Sequence, residues 1–283
     1  MTEAAVGSQV WATTSGDAWS RRWRETDRGL EGLGRHLLSA ITASAPAEPF
    51  TAFEIGCGPG STSIAVAEAR PNAQITACDI SPALVEIARD RTSSMPQIRV
   101  LVGDAEELAE DQWPFDLIFS RHGVMFFPDP VAAFRRFRAA ANPGASLIFS
   151  CFRSWQLNSW AWELTGAAAG AEVPPQDGEP GGFAFADPDY VHDILSASGW
   201  DGAPPEPVDF NYVTGEGDDA VGHALSFVLE IGPAARIIQS LPEEERPAAV
   251  ERIRSVIERR FDGASVSFEA AAWIWTAKAT PGA

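Results

Sequence analysis

The segment that decides the fold is FEIGCGPGSTSIAVAE, from Phe53 to Glu68. It begins inside an apolar run, Phe50 to Ile55, that predicts a buried β-strand, and it ends in a helix predicted over about Ser61 to Arg70. Between strand and helix stand three alternating glycines: Gly56, Gly58 and Gly60. Glycine permits a tight turn and lets a ligand approach the backbone closely. A helix N-terminus behind such a turn offers free N–H groups to a polar ligand, so the segment predicts a binding turn.

Strand and helix patterns continue to alternate after this turn. Further strands are predicted at Ala73–Cys78, Ile98–Val102, Phe115–Ser120 and Ser146–Cys151. Helices are predicted between them, among them Ala83–Arg91 and Val131–Ala141, and Ser265–Lys278 predicts a closing strand. Strands that alternate with helices indicate a parallel sheet covered by helices on both faces.

Two further segments frame this alternating region. Leucines at helical spacing between Asp17 and Thr42 predict a helical lid over residues 1–49, although three glycines weaken that helix. After Cys151 a Trp-rich helical segment and a Pro/Gly-rich loop predict a cap inserted around residues 152–186. No linker is long enough to separate domains, so residues 50–283 are predicted to form one domain with that insertion.

Three acidic residues follow successive predicted strands or stand at their ends: Glu54, Asp79 and Asp104. Ligands in parallel sheets bind at the carboxyl ends of the strands. The Asp79 carboxylate is suited to accept hydrogen bonds from both hydroxyls of a ribose, and Asp104 from an adenine amino group. The alternative is that Asp79 and Asp104 only cap helices.

A dinucleotide site is the first competing interpretation of the glycine turn. The pattern G-x-G-x-x-G would need a glycine at position 61, where this chain has Ser61. With only Tyr190 and Tyr212 present, the chain also lacks the Tyr-x-x-x-Lys pair of one class of NAD(P)-dependent oxidoreductases. The sequence therefore disfavours that class.

Together these motifs resemble class I S-adenosylmethionine (SAM)-dependent methyltransferases, in the style of the ubiquinone and menaquinone small-molecule methyltransferases. The likeness runs from about Thr51 to Cys151 and includes the turn Asn142-Pro143-Gly144 before strand five. It implies an α/β fold with a Rossmann-like seven-stranded sheet, mostly parallel with the last strand antiparallel, helices on both faces, and a helical insertion after strand five.

The resemblance also implies a reaction and a set of binding residues. The expected reaction is methyl transfer from SAM to a small apolar or aromatic O-, C- or N-acceptor, with S-adenosylhomocysteine as product and no metal. The alternative is a SAM-binding protein that performs non-methyl chemistry or serves as a non-catalytic module. Ile80 is suited to pack on an adenine face. The implied cofactor-binding residues are Trp19, Glu54, Gly56, Cys57, Gly58, Gly60, Asp79, Ile80, Gly103, Asp104, Ala105, Ser120 and Arg121.

Arg121 and His122 are the candidate catalytic residues, because they follow strand four, where the methyl group is expected. An imidazole titrates near neutral pH and can deprotonate a phenol or an activated carbon acid. The alternative is that His122 hydrogen-bonds the cofactor or a loop. Arg121 pairs either with a ligand carboxylate or with a surface acid. The related methyltransferases often have a hydrophobic or aromatic residue at position 122.

Aromatic residues cluster in two other places. The lid segment contains Trp11, Gly16, Asp17, Trp19 and Trp23. Its tryptophans are interpreted as contacts to a sulfonium or as simple packing on the sheet. The cap contains Trp155, Trp160, Trp162, Phe183 and Phe185. These residues predict an acceptor pocket, with core packing or a homodimer contact as alternatives.

Composition limits the partners. The net charge is −18, which disfavours nucleic acid, and the densest basic cluster (Arg21, Arg22 and Arg24) is expected to be a solvated helix face or part of the lid. Three separated cysteines predict neither a disulfide framework nor a metal site. No apolar run reaches the ~18 residues of a membrane span and no secretory signal is evident, so a cytoplasmic protein is expected.

Overall fold

A computed structural model of the protein describes residues 14–112, 114–175 and 181–280. Eight strands occur within these residues: β1 Phe50–Ile55, β2 Ala73–Asp79, β3 Ile98–Val102, β4 Phe115–Arg121, β5 Ala141–Phe152, β6 Trp200–Gly202, β7 Glu206–Glu216 and β8 Ser265–Ala279. The α-helices of the same ranges are α1 Thr14–Arg21, α2 Trp23–Gly29, α3 Glu31–Ser44, α4 Ser61–Ala69, α5 Pro82–Arg91, α6 Ala105–Gln112, α7 Pro130–Ala139, α8 Ser159–Ala169, α9 Pro188–Ala197, α10 Ala220–Val228, α11 Pro233–Ser240 and α12 Arg246–Arg259.

All the strands belong to one sheet with the order β3-β2-β1-β4-β5-β8-β6, and β7 also pairs with β8. Strands β1 to β5 are parallel, whereas β8 is antiparallel to β5. The three-residue β6 and the longer β7 pair with successive stretches of β8. The predicted fold class is therefore confirmed, with eight strands in seven positions because β6 and β7 both pair with β8, at different stretches of that strand.

The N-terminal segment forms three helices instead of the single predicted one, with breaks at Arg22 and Leu30. Glycines explain how this segment lies against β7. A Cβ on Gly29 would stand 2.9 Å from the Tyr212 ring, and one on Gly32 would stand 3.1 Å from Phe210 Cβ. The glycines that weaken a helix in isolation thus permit close packing here.

The cap is larger than the sequence predicted. Helix α8 lies in the predicted insertion, and it packs on α11 and α12 from the connection between β7 and β8. Helix α10 packs on β7 and on α12. The loop residues 176–180 of the predicted insertion lie outside the described residues. Four helices from two separate insertions therefore form one cap beside the outer strands.

A cluster of aromatic side chains fills the core around β5. Phe149 is fully buried, with its ring centroid 6.2 Å from that of Trp275 and 5.5 Å from that of Phe134. Trp200 on β6 donates its indole N–H to the Phe134 carbonyl at 2.9 Å. Buried aromatic side chains of this size dominate core energetics. They hold β8 and α7 against the parallel strands, whose carboxyl ends carry the candidate site.

Candidate active site

The glycine turn joins β1 to α4 and has backbone angles that glycine alone adopts without strain. The φ angles of Gly56, Gly58 and Gly60 are 63°, 53° and 83°. Gly60 precedes the first turn of α4, and a Cβ there would stand 3.2 Å from Ala88 Cβ. The turn after β4 also lies close, since a Cβ on Gly56 would stand 3.3 Å from Gly123 Cα. The two turns therefore meet at the carboxyl edge of the sheet.

Asp79 and Asp104 each make capping contacts and also line a cavity. Asp79 accepts the backbone N–H groups of Gly58 and Ser81 at 2.8 and 2.9 Å, one on each carboxylate oxygen. Burial raises the pKa of Asp79. Asp104 accepts the backbone N–H of Glu106 at 2.8 Å. Because a carboxylate oxygen has further lone pairs, helix capping and ligand binding are compatible at both positions.

Glu54 lies at the carboxyl end of β1 and is 1% exposed. Its carboxyl accepts a hydrogen bond from the Ser63 hydroxyl on α4. Burial raises the Glu54 pKa to about 7, and the Ser63 hydrogen bond and the charge of Arg121 oppose that rise. This carboxyl thus titrates near neutral pH while it lines the cavity.

A cavity of 1360 Å³ runs from the glycine turn to the aromatic residues of the cap. The predicted site residues that line it are Trp19, Glu54, Gly56, Cys57, Gly58, Asp79, Ile80, Gly103, Asp104, Ala105, Arg121 and His122. Gly60 and Ser120 do not. Gly60 begins α4, and the Ser120 hydroxyl donates to the Ile55 carbonyl at 2.8 Å and accepts the Gly123 N–H at 3.1 Å. Both residues support the turns that form the cavity wall.

Comparisons with known proteins show what this geometry is similar to. The family model described as "Methyltransferase domain" matches residues 52–144, less than half of the chain. This matched region contains the glycine turn and all three acids. The ubiquinone biosynthesis O-methyltransferase of Xanthomonas campestris pv. campestris (strain B100) is 32% identical over 138 residues, which cover 47% of this chain and 57% of that protein.

Two further proteins are similar to this chain. Demethylmenaquinone methyltransferase of Staphylococcus aureus (strain JH9) is 29% identical over 98 residues, 34% of this chain and 41% of that protein. The chain therefore spans about half the length of the curated relatives it matches. The YcgJ protein from Bacillus subtilis has the same fold, with a TM-score of 0.56, 17% identity, and coverage of 88% of this chain and 100% of that one. The predicted resemblance to quinone methyltransferases is confirmed.

Outside the matched region, an aromatic wall lines the cavity. It consists of Phe152, Trp155, Trp160, Phe183 and Tyr212. Ring centroids lie 5.1 Å apart for Phe152 and Trp160 and 5.2 Å apart for Trp160 and Tyr212. Tyr212 on β7 was not among the predicted site residues. Of the other predicted cap aromatics, neither lines the cavity: Phe185 is buried in the core and Trp162 is 44% exposed.

His122 follows β4 and contacts the aromatic wall. Its ring centroid lies 4.1 Å from that of Phe152, edge to face. Nδ1 lies 2.8 Å from the Ser150 hydroxyl, whereas Nε2 is buried and has no hydrogen-bond partner in the described chain. Burial, together with the charge of Arg121, lowers the His122 pKa to about 3. The imidazole is therefore neutral at physiological pH.

Arg121 forms an ion pair with an acid of the N-terminal helices. Its guanidinium lies 2.5 Å from the carboxylate of Asp27 on α2, and its side chain is only 12% exposed. Asp27 also pairs with Arg91 at 3.3 Å and accepts from the Ser61 hydroxyl at the start of α4. Asp27 thus joins α2 to β4, to α5 and to the start of α4, a role that the sequence did not indicate.

The N-terminal helices cover the glycine-turn end of the cavity. Trp19 and Trp23 line it, and the Arg91 guanidinium stacks 4.3 Å from the Trp23 ring centroid. Arg22 pairs with Glu230 near α10, so the basic cluster of this segment is at least partly neutralised within the chain. Trp11 of the predicted lid lies outside the described residues.

Three observations concern other kinds of site. In the described ranges, three or more His, Cys, Asp or Glu side chains nowhere gather in a group that could hold a metal ion. Cys57 is buried, and burial raises the pKa of its thiol far above the usual range, as expected for a packed side chain. No single described helix has the length and apolarity to cross a membrane, although the bent pair α10–α11 passes that test jointly.

Proposed function

We propose that this protein is an enzyme that transfers a methyl group from SAM to a small acceptor molecule. The observation that carries the proposal is the convergence on a single cavity of Glu54, Asp79 and Asp104 with the glycine turn, all of which lie in the matched region. The acids stand at the ends of three neighbouring strands, which is where parallel α/β sheets bind their ligands.

The residues around the turn fit the cofactor chemically. A Cβ on Gly58 would meet no atom within 4 Å, so the turn leaves room for a ligand against its backbone. Asp79 keeps lone pairs for two ribose hydroxyls, Asp104 for an adenine amino group, and Ile80 offers an apolar contact to an adenine face. When bound, SAM supplies an electrophilic methyl group.

The chain itself contributes mainly by holding the reactants. Methyl transfer is a displacement in which proximity and alignment account for much of the catalysis. The cavity of 1360 Å³ exceeds the 300–1,000 Å³ that is typical for one small ligand, so it has room for cofactor and acceptor together. The aromatic wall favours an apolar or planar acceptor, and the apolar surroundings exclude water from it.

The remaining partner assignments rest on composition. The charge of −18 is unfavourable for nucleic acid, no metal is invoked in the chemistry, and a cytoplasmic location stays part of the proposal. A homodimer stays a prediction, motivated by the exposed Trp162 on α8.

Calorimetric titration tests the cofactor assignment. We expect SAM and S-adenosylhomocysteine to bind the purified protein and NADH not to bind, because the glycine spacing and Asp104 suit an adenosyl amino acid rather than a pyrophosphate. A subsequent screen of small aromatic and quinone-like acceptors would follow methyl incorporation from labelled SAM. NADH binding in place of the adenosyl compounds would refute the proposal.

We also propose that α1 and α2 form a lid over the cofactor, with Asp27 as its main attachment. Asp27→Asn keeps the size of the side chain but removes the charge that pairs with Arg121 and Arg91. We expect the Kd for S-adenosylhomocysteine to rise roughly tenfold, equivalent to about 1.4 kcal/mol, because the lid closes less firmly. Calorimetry at low and high salt measures this change.

Asp17→Asn is the matched control, since Asp17 is an exposed acid on α1. It should leave affinity unchanged. Equal affinities of the wild type and Asp27→Asn at both salt concentrations would argue against the lid.

A further inference from the structure

His122 lines the cavity and carries a buried ring nitrogen, Nε2, that has no hydrogen-bond partner in the described chain. Within the described residues four buried side-chain nitrogens lack a hydrogen-bond partner: Arg28 Nε, His122 Nε2, Arg153 Nε and Trp275 Nε1. Of these four residues only His122 lines the cavity. A buried donor or acceptor without a partner costs about 1–3 kcal/mol, so this nitrogen is suited to a ligand that completes its hydrogen bonding.

The backbone of His122 adds a second cost at the same residue. His122 has a φ of 62°, and no other non-glycine residue in the described ranges has a positive φ. Such a conformation persists only where surrounding contacts impose it. Here the His122 N–H donates to the Ser150 carbonyl at 3.2 Å, and the ring packs edge to face on Phe152. The chain therefore fixes this imidazole in place beside the cavity.

Ser150 determines which ring nitrogen carries the proton. Its hydroxyl is fully buried on β5, and its one hydrogen-bond partner in the described chain is His122 Nδ1 at 2.8 Å. If Nδ1 were protonated it would donate to the hydroxyl oxygen, and the hydroxyl proton would have no acceptor. If the hydroxyl donates to Nδ1, both groups are satisfied. The second arrangement places the proton of the neutral imidazole on Nε2.

We propose that Ser150 is a positioning residue that holds His122 as the Nε2–H tautomer, and that Nε2–H donates a hydrogen bond to an oxygen of the methyl acceptor. The second half of this statement rests on the proposed methyltransferase function. His122 then acts as a neutral hydrogen-bond donor, because an imidazole of lowered pKa stays uncharged. It does not remove a proton from the acceptor.

The chemistry of the donor defines the acceptor further. The neighbouring cation, Arg121, is already paired with Asp27 at 2.5 Å, so the N–H group itself determines what binds. An N–H donor bonds most strongly to an oxygen that is ionised or strongly polarised, and an ammonium group has no lone pair with which to accept it. The acceptor subsite therefore suits a flat ring that bears a carbonyl oxygen or an acidic hydroxyl.

Nitrogen NMR of protein with ¹⁵N-labelled histidine, bound to S-adenosylhomocysteine, tests the tautomer. His122→Gln identifies the His122 signals among the four histidines. We expect the nitrogen chemical shift of Nε2 to be that of a protonated ring nitrogen. The chemical shift of Nδ1 should be that of an unprotonated ring nitrogen whose lone pair accepts a hydrogen bond. Ser150→Ala should convert this pattern into a mixture of tautomers. A proton on Nδ1 in the wild type, or a Ser150→Ala spectrum identical to the wild type, would overturn the proposal.

Two aromatic probes test the acceptor half in the same sample. 3,4-Dihydroxybenzoate, which carries anionic and hydroxyl oxygens, should shift the Nε2–H resonance, whereas benzylamine should not. A shift with benzylamine alone, or no shift with saturating 3,4-dihydroxybenzoate, would reject that half. If calorimetry finds no binding of S-adenosylhomocysteine, the cofactor assignment fails, and the ligand-free spectrum still decides the tautomer.

Discussion

Asp79→Ala is expected to weaken binding of S-adenosylhomocysteine by about 100-fold or more. The carboxylate is the one acidic group at the end of β2, and it lines the cavity beside the glycine turn. Hydrogen bonds to a charged group contribute about 1.5–3 kcal/mol each, and the substitution removes two that the ribose hydroxyls are expected to make. It also frees the Gly58 N–H that holds the turn in shape. Calorimetry on the purified variant measures the change.

Two variants separate the loss of charge from a loss of structure. Asp79→Asn keeps one acceptor oxygen but replaces the other with an NH₂ group, which cannot accept from Gly58 or Ser81, so its affinity should fall between those of the wild type and Asp79→Ala. Asp201→Ala removes an exposed carboxylate from β6, which is separated from β2 by four strands in the sheet order, and it should leave the affinity for S-adenosylhomocysteine unchanged. A folded Asp79→Ala protein whose affinity stays within about threefold of the wild type would rule out Asp79 as the ribose ligand.

Much of the fold was predictable because its signals are local. Strand β1 matches the predicted range, and the glycine turn, Asp79 and Asp104 each follow a strand within a few residues. A parallel sheet then brings these strand ends to one edge, so sequence proximity to a strand end suffices to predict proximity in space. The same reasoning explains why most of the predicted site residues line a single cavity.

The parts that were not predicted depend on contacts between distant segments. Asp27 acquires its role from Arg121, which is 94 residues away in sequence. Tyr212 reaches the cavity through the pairing of β7 with β8. The role of the Ser150 hydroxyl depends on the positive φ angle of His122. Strand β6 is too short for an alternating pattern to reveal it. None of these relations has a signature within a short stretch of sequence.

The Glu54 carboxyl is expected to make the protein less stable as the pH rises from about 4.5 to about 7. Its pKa is about 7 in the folded protein and 4.5 in the reference state. The folded state therefore binds this proton more tightly than the unfolded state. As the pH rises through that window the unfolded state loses its proton first, so stability falls and then levels off above about pH 7. The difference corresponds to roughly 3 kcal/mol.

Glu54→Gln removes this titration, because the amide resembles the protonated carboxyl in shape and carries no charge. We expect the variant to exceed the wild type in free energy of unfolding by up to roughly 3 kcal/mol at pH 8, and to match it near pH 4, below the reference pKa. Urea unfolding at both pH values measures the difference. Glu68→Gln, an exposed site on α4, is the matched control and should show no such pH dependence.

Retention of a destabilising carboxylate in the core needs a functional reason, and the cavity supplies one. An ionised Glu54 attracts a positively charged ligand, and SAM carries an ammonium and a sulfonium. The stabilised Glu54→Gln variant should therefore bind SAM more weakly than the wild type at pH 8, the opposite direction from its gain in stability. Two results would contradict this role of Glu54 in ligand binding. One is a wild-type free energy of unfolding that does not change between pH 5 and pH 8, and the other is a Glu54→Gln variant that gains both stability and affinity for SAM.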